Sequence, residues 1–157
     1  PPVATHGIAT LSRLRRFTAI NSALEVDLRG QVNTESVGGL EIGGVGGINN
    51  FARGALASTG GRSIIALPSR RRVRDSRGER EVPSIVAALS GPATIGAADI
   101  DFVVSEHGIA SLRNSSLAER RQRLIAIADP HDRESLSRAG GLHSPARSSP
   151  ARLPDGA

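Results

Sequence analysis

The 157-residue chain contains no cysteine, methionine, tryptophan or tyrosine, and only three phenylalanines. The absence of cysteine excludes disulfide frameworks, thiolate zinc sites and cysteine nucleophiles. His6, His131 and His143 have no acidic partners at metal-ligand spacing, so no metal site is expected. The Gly-x-Ser-x-Gly motif of serine hydrolases is missing too. Thiol chemistry, zinc sites and catalysis of the serine-hydrolase type are therefore not expected.

Long apolar runs are also missing, and no segment approaches the roughly 18 residues that a membrane-spanning helix needs. Pro1 stands first, and the residues after it show no signal-peptide pattern. We therefore expect a piece of a longer protein, cytoplasmic and without a membrane partner. A domain of this size buries roughly 70% of its unfolded surface, which suffices for a core without disulfides or metals.

Lysine is absent, so all 20 basic residues are arginines, and the formal net charge is +5. Six of the arginines lie in the segment Arg70–Arg80, which has neither helical nor strand periodicity and is predicted to be a solvated loop. Nucleic-acid sites usually combine clustered positive charge with stacking aromatic side chains. Because aromatic residues are so scarce, nucleic acid is not expected as a partner.

Apolar spacing predicts two helices. Apolar residues recur every three positions over Ile8–Phe17, as on one face of an amphipathic helix. A second helix is predicted to begin at Ser116, because Ser116 and Glu119 have the spacing of a capping box, and to end before Pro130.

Large apolar residues almost vanish after Ser137, which predicts a disordered tail over residues 137–157.

Short apolar runs predict the strands. Residues Leu24–Leu28 alternate between apolar and acidic side chains, which predicts a half-buried strand. The runs Ser63–Leu67 and Asp101–Val104 are typical of strands covered on both faces, and Ile85–Leu89 is a further candidate. Strands alternating with helices predict an α/β domain over residues 5–136, with an open, largely parallel sheet and flanking helices.

A glycine-rich segment is the first candidate site, with six glycines in the ten residues Gly38–Gly47. Such a backbone turns sharply and lets a ligand approach its N–H groups. If a helix begins near Asn49 or Asn50, those N–H groups point at an anion or a carbonyl oxygen. The spacing matches neither a Walker loop nor a Rossmann fingerprint. A flexible surface loop is the alternative interpretation.

The second candidate is Glu106 with His107, which directly follow the apolar run ending at Val104. Ligands of open α/β sheets bind beyond the carboxyl ends of the strands, where this pair is predicted to lie. A polar pair at a strand end is also typical of a solvated turn, so both interpretations stay open.

Five blocks, in order, resemble the acetyl-CoA hydrolase/transferase family, which includes acetate and 4-hydroxybutyrate CoA-transferases. The resemblance covers residues from about Thr5 to Leu136. This stretch is similar to the C-terminal domain of the family's enzymes. The blocks are Ala19–Leu28 with Gly30–Asn33 and Glu35-Ser36, Gly44–Gly47 with Phe51–Gly54, Gly60–Ser69, Val103–Arg113, and Glu119–Pro130.

The resemblance implies a two-domain enzyme in which a glutamate attacks an acyl-CoA, giving an acyl-glutamyl anhydride and then a glutamyl-CoA thioester. Coenzyme A would enter as the substrate thioester, together with a small carboxylate or water, and no metal is implied. By motif position, Gly47 N–H would be the oxyanion donor, Gly44, Val45, Gly46 and Gly47 would bind the thioester region, and Glu106 would lie at the active site.

In the family that this chain resembles, the nucleophilic glutamate lies upstream of the Ala19 block. Glu25, Glu35 and Glu41 are therefore not expected to replace it. The implied partner is the upstream N-terminal domain of the same enzyme, and a homo-oligomer is an open expectation. The alternative function is that of a catalytically inactive remnant or a binding module with the same fold.

Overall fold

The structure is a computed structural model that describes residues 5–37, 40–75 and 78–142. Its centre is a four-stranded sheet in the order β1, β6, β10, β11. The pairs β1–β6 and β6–β10 are parallel, and β10–β11 is an antiparallel hairpin at one edge. The predicted α/β fold with a largely parallel sheet is confirmed. These strands span Thr18–Asn21 (β1), Arg62–Ala66 (β6), Phe102–Ser105 (β10) and Gly108–Ser111 (β11).

A second sheet of three short strands packs beside the first, in the order β3, β2, β9. Its strands are Glu25–Asp27 (β2), Val32–Asn33 (β3) and Ile85–Val86 (β9). All three residues of β2 are buried, because Glu25 and Asp27 have internal hydrogen-bonding partners. The half-buried strand predicted here is therefore wrong in its exposure. Ser36–Val37 (β4) and Leu40–Glu41 (β5) form a separate antiparallel pair.

Helices over Ile8–Leu11 (α1), Ile48–Ala57 (α2), Leu117–Ala126 (α3) and Pro130–Leu142 (α4) flank the sheets. The first ends at Leu11 and is thus much shorter than the predicted Ile8–Phe17, and Arg16 within the predicted span has a φ of 56°, which a right-handed helix does not allow. The predicted capping box of α3 is present, with Ser116 and Glu119 bonded reciprocally. None of the helices in the described ranges is long and apolar enough to span a bilayer.

The last helix corrects the predicted start of the tail. Residues up to Leu142 belong to α4, so the boundary predicted at residue 137 falls inside a helix. Leu136 is buried in the core, and Gly140 lies against Arg121 of α3, where a Cβ would come within 2.6 Å of Arg121 Cδ. The contacts of this helix offset the cost of ordering a segment poor in apolar residues. Residues 143–157 lie outside the described ranges.

The arginine-rich segment is a β-hairpin rather than the predicted solvated loop. Its strands are Arg70–Asp75 (β7) and Gly78–Pro83 (β8), paired antiparallel. Arg72 lies 3.8 Å from both Glu79 and Glu81, and these cross-strand charges replace the apolar alternation that would have predicted strands. At its base, Arg70 pairs with Asp132 and Arg71 with the buried Glu25.

The core lies on one side of the central sheet. Alternate residues of the strands, including Ser63, Ile65, Val103 and Ala110, are buried there, and the core extends to Ala52 of α2 and Leu124 of α3. Side chains on the opposite face are partly or fully exposed, with Ile20 67% and Ile109 68% exposed. Within the described residues, the strands predicted to be covered on both faces are thus fully covered on only one.

Candidate active site

Polar residues gather where the three parallel strands end. Asn21 is the last residue of β1, Ser69 follows β6 by three positions, and Glu106 comes directly after β10. Because β1, β6 and β10 run parallel, their carboxyl ends meet at the same edge of the sheet. This edge is where open α/β sheets bind their ligands.

The start of α2 lies at the same edge. A short turn after this helix leads into β6, and the ten-residue helix packs along β6 and β1. A helix of this length is about 15 Å long and the five-residue β6 about 16 Å, so a helix running back along the strand begins level with the strand's carboxyl end. Gly47, the N-cap of α2, is therefore at the sheet edge that Glu106 occupies.

The glycine loop presents bare backbone before α2. Gly46 has a φ of +56°, a conformation that favours glycine, and a Cβ on Gly44 or Gly46 would have no neighbour within 4 Å. Within the described part of the chain, the N–H groups of Gly44, Val45, Gly46 and Gly47 donate to no acceptor. Free N–H groups at the start of a helix attract a negatively charged or partly negative oxygen.

Glu106 is anchored rather than free to rotate. Ser69 donates to its carboxylate through the side chain, with Oγ 2.5 Å from Oε1, and through the backbone N–H, 2.9 Å from Oε2. These hydrogen bonds, with a smaller contribution from His107, whose Nε2 lies 3.7 Å from Oε1, lower the pKa of Glu106. A carboxylate held in this way stays ionised at neutral pH and accepts hydrogen bonds.

Ser69 is in turn fixed by the second sheet. Its carbonyl accepts a hydrogen bond from Ser84 N–H at 2.9 Å, and the Ser84 carbonyl accepts one from Val26 N–H of β2 at 2.9 Å. Ser69 is also fully buried, with 1% of its surface exposed. Sequence reasoning gave Ser69 no role, because a serine after a Leu-Pro pair looks like an ordinary turn residue.

Asn21 is a second residue that sequence reasoning passed over. Its Nδ2 is buried and has no hydrogen-bonding partner among the residues that the structure describes, which is an unfavourable state for an amide. Asn21 lines a groove of about 260 Å³ together with Phe51, and a Cβ on Gly47 would lie 3.3 Å from the Phe51 ring. The groove therefore extends from the end of β1 to the first turn of α2.

The acidic residues of the Ala19–Leu28 block have structural roles. Glu25 is buried and accepts hydrogen bonds from Ser90 N–H and Oγ, from Asn33 and from Arg71. Burial raises the pKa of Glu25, but these hydrogen bonds and the Arg71 charge outweigh it, so the pKa is lowered. For Asp27 burial dominates and the pKa is raised, although its carboxylate accepts from two turn N–H groups. Neither carboxylate is available as a nucleophile.

The predicted site residues do not share one cavity. Gly44 and Val45 line a cleft of about 320 Å³ with Glu35, Glu41 and Pro92 among its other residues, and neither Gly47 nor Glu106 lines it. Gly47 and Glu106 share the sheet edge instead. No group of three or more His, Cys, Asp or Glu side chains that could hold a metal ion occurs among the described residues.

Comparison with known proteins gives consistent matches. The sequence profile of the acetyl-CoA hydrolase/transferase C-terminal domain matches residues 3–139. The chain is 43% identical over 122 residues to 4-hydroxybutyrate coenzyme A transferase from Clostridium kluyveri, covering 76% of this chain and 27% of that protein. It is 35% identical over 133 residues to butyryl-CoA:acetate CoA-transferase from Anaerostipes caccae, covering 84% and 29%.

A solved structure agrees with these sequence matches. The chain superposes on RipA from Yersinia pestis with a TM-score of 0.75 and 34% sequence identity, covering 87% of this chain and 30% of that one. The chain thus spans between 27% and 30% of the length of these proteins.

Proposed function

Because the chain belongs to the acetyl-CoA hydrolase/transferase family, as its C-terminal domain, we propose that it forms the thioester-binding half of a CoA-transferase active site. The observation that carries the proposal is the N–H of Gly47 at the start of α2, which donates to no described residue and is level with the anchored carboxylate of Glu106. The substrates are an acyl-CoA and a small carboxylic acid, with water as the alternative acceptor.

In the proposed reaction, a glutamate of the upstream domain attacks the thioester carbonyl. The carbonyl oxygen gains negative charge in the transition state, and the N–H of Gly47 donates to it there. Collapse breaks the C–S bond and gives an acyl-glutamyl anhydride and CoA thiolate. The thiolate then attacks the glutamyl carbonyl, releasing the first carboxylate and leaving glutamyl-CoA. A second carboxylate takes the CoA by the reverse steps.

Glu106 acts in this scheme as an ionised acceptor and not as a proton donor. The hydrogen bonds from Ser69 lower its pKa, so a proton is unavailable at neutral pH. We infer that it orients a donor group of the CoA or of the upstream domain. The buried Nδ2 of Asn21 needs an acceptor, and a carboxylate or carbonyl oxygen in the site would supply one.

The test is turnover of acetyl-CoA with acetate, following released CoA with a thiol reagent. The chain has no cysteine, so it adds no background to this assay. We expect no turnover by the purified 157-residue chain, and turnover when it is co-expressed with the upstream portion of the Clostridium kluyveri relative. Substantial turnover by the isolated chain would show that the nucleophile is assigned wrongly.

Absence of turnover in the complemented protein would favour the second candidate, a non-catalytic remnant or binding module. Binding of CoA then separates the two, because a binding module keeps an affinity for CoA that a remnant lacks. A cytoplasmic location and self-association stay predictions.

A further inference from the structure

The glycine loop before α2 is fixed at its start by the short hairpin of β4 and β5. The carbonyl of Glu35 accepts hydrogen bonds from Ile42 N–H at 2.7 Å and from Gly43 N–H at 3.1 Å. Within the part of the chain that the structure describes, the N–H groups from Gly44 to Gly47 donate to no acceptor. The path of the loop is therefore set by its two ends, which are Gly43 and the start of α2.

The N–H of Gly47 belongs to this loop rather than to the helix. It is part of the peptide group between Gly46 and Gly47, whereas the Gly47 carbonyl accepts the first helical hydrogen bond, from Phe51 N–H at 3.1 Å. The first N–H groups of a helix have no acceptor inside the helix. The helix therefore holds the carbonyl side of Gly47, and the loop sets the direction of its N–H.

One buried side chain holds the hairpin that leads into the loop. Asn33, the last residue of β3, is fully buried. Its Oδ1 accepts from the N–H groups of Glu35 at 3.0 Å and Ser36 at 3.2 Å. Its Nδ2 donates to the Ser36 carbonyl at 2.6 Å and to Glu25 Oε2 at 3.2 Å. Both donors and the acceptor oxygen of the amide are thus in use.

Side chains of similar size do not reproduce this pattern. Aspartate has the shape of asparagine but, when ionised, only acceptor oxygens. Asn33→Asp would set a carboxylate oxygen against the Ser36 carbonyl and against Glu25, which is ion-paired with Arg71. Leucine has no polar atoms and would leave the N–H groups of Glu35 and Ser36 without their acceptor. The turn therefore depends on an amide at this position.

We propose that Asn33 is a positioning residue for the transferase reaction: by fixing the turn at Glu35, its amide sets the path of the glycine loop and hence the direction of the Gly47 N–H. Because Asn33 is fully buried, it acts through the backbone of Ile42 and Gly43, which Glu35 holds. The inference rests on the proposed function for the role of Gly47. Misplacing a catalytic group by about 1 Å costs about 10²-fold in rate, so a small shift of the loop has a measurable effect.

The first test measures amide hydrogen exchange in the purified chain, which requires no turnover. Asn33→Asp keeps the size of the side chain and removes its two donors. Asn33→Ser, which adds no charge, is the second variant in case the first does not fold. Ile85→Ala is the matched control, because Ile85 is buried in the same sheet and its truncation lowers stability without removing a hydrogen bond of the amide.

We expect the Asn33 variants to exchange about tenfold faster or more at Ile42 and Gly43, measured relative to the amides of the central sheet. The reason is that the carbonyl of Glu35, which accepts from both N–H groups, is no longer held in place. In Ile85→Ala this ratio should stay that of the unmodified chain.

The second test measures acetyl-CoA turnover by the same variants, complemented with the upstream portion of the Clostridium kluyveri relative. A misdirected Gly47 N–H weakens an interaction made in the transition state, so kcat should fall about tenfold to 10²-fold with little change in KM for acetyl-CoA. A merely structural role would lower Tm and leave kcat unchanged below the unfolding transition, as we expect for Ile85→Ala.

The two tests separate this inference from the proposed function. Unchanged exchange at Ile42 and Gly43, or faster exchange there that Ile85→Ala reproduces, would overturn the inference. If turnover is restored and the Asn33 variants keep the kcat of the unmodified chain, the proposed function stands and the positioning role is wrong. If the unmodified chain does not turn over when complemented, the proposed function fails, and the exchange at Ile42 and Gly43 decides whether Asn33 fixes the loop.

Discussion

Replacing Glu25 by glutamine tests how much its buried carboxylate stabilises the second sheet. In Glu25→Gln, the converging donors of Ser90, Asn33 and Arg71 would face an amide that has one acceptor oxygen and donors of its own. The Arg71 side chain is only 12% exposed and loses its counter-charge. Breaking a buried ion pair by removing one partner costs about 3–5 kcal/mol.

We expect Glu25→Gln to lower the free energy of unfolding by about 3 kcal/mol, near the lower end of this range, because Arg71 Nη1 also donates to the carbonyls of Leu24 and Pro83. For a protein of this size that corresponds to a fall in Tm of about 6–12 °C. The assay is urea and thermal unfolding followed by far-ultraviolet circular dichroism, since the chain has no tryptophan or tyrosine to report by fluorescence.

The pH dependence of stability gives an independent check of this prediction. The pKa of Glu25 is lowered in the folded protein, so its stabilising contribution is present above the pKa of the unfolded chain and is lost as the pH falls through the folded value. The difference between the parent and Glu25→Gln should therefore shrink in acid. Glu134→Gln is the control, because that side chain is 83% exposed, and it should change stability by less than about 0.5 kcal/mol. A loss below about 1 kcal/mol in Glu25→Gln, or one independent of pH, would refute the reasoning.

Three further predictions concern the candidate site and the hairpin. Gly47→Val should lower turnover of the complemented enzyme by about 10²–10³, because the side chain would fill the space of the acyl oxygen; Tm should fall much less, since the φ of −94° suits any residue and the new Cβ, 3.3 Å from the Phe51 ring, requires only a small shift; equal turnover would remove the oxyanion assignment. Ser69→Ala should raise the pKa of Glu106, measured by carboxyl NMR titration, by removing the hydroxyl donor; an unchanged pKa would contradict the anchoring role. The hairpin of β7 and β8 should not bind DNA or RNA at physiological salt, since Arg70 and Arg71 pair with Asp132 and Glu25; tight binding abolished by changing Arg70, Arg71 and Arg72 to Ser would overturn this.

Local sequence patterns correctly predicted the elements that depend on short-range interactions. The capping box at Ser116 and the apolar run of β6 both gave correct elements, because short-range hydrogen bonding and strand preference act within a few residues. Resemblance to the family correctly gave the domain type. It also directed attention to Gly47 and Glu106, whose roles remain proposals.

Long-range partners explain what sequence reasoning missed. Arg71 pairs with Glu25 across 46 positions, so a segment that looks like a solvated loop becomes a hairpin tied to the core. Ser69 holds Glu106 across 37 positions, and nothing near Ser69 in the sequence indicates that contact. The exposure of the second face of the sheet could not be predicted from the sequence either, because an apolar strand has the same composition whether or not that face meets a helix.

The hydrogen bonds that link Val26, Ser84, Ser69 and Glu106 have a consequence for how the chain acquires order. Val26 and Ser84 are 58 positions apart, so their hydrogen bond requires the closure of a long loop. Ser69 and Glu106 follow the paired strands β6 and β10, so the donors reach the carboxylate when these two strands pair. Amide hydrogen exchange at Ser69 therefore reports loss of the fixed carboxylate, whereas exchange at Ser84 and Val26 reports opening of the link to the second sheet.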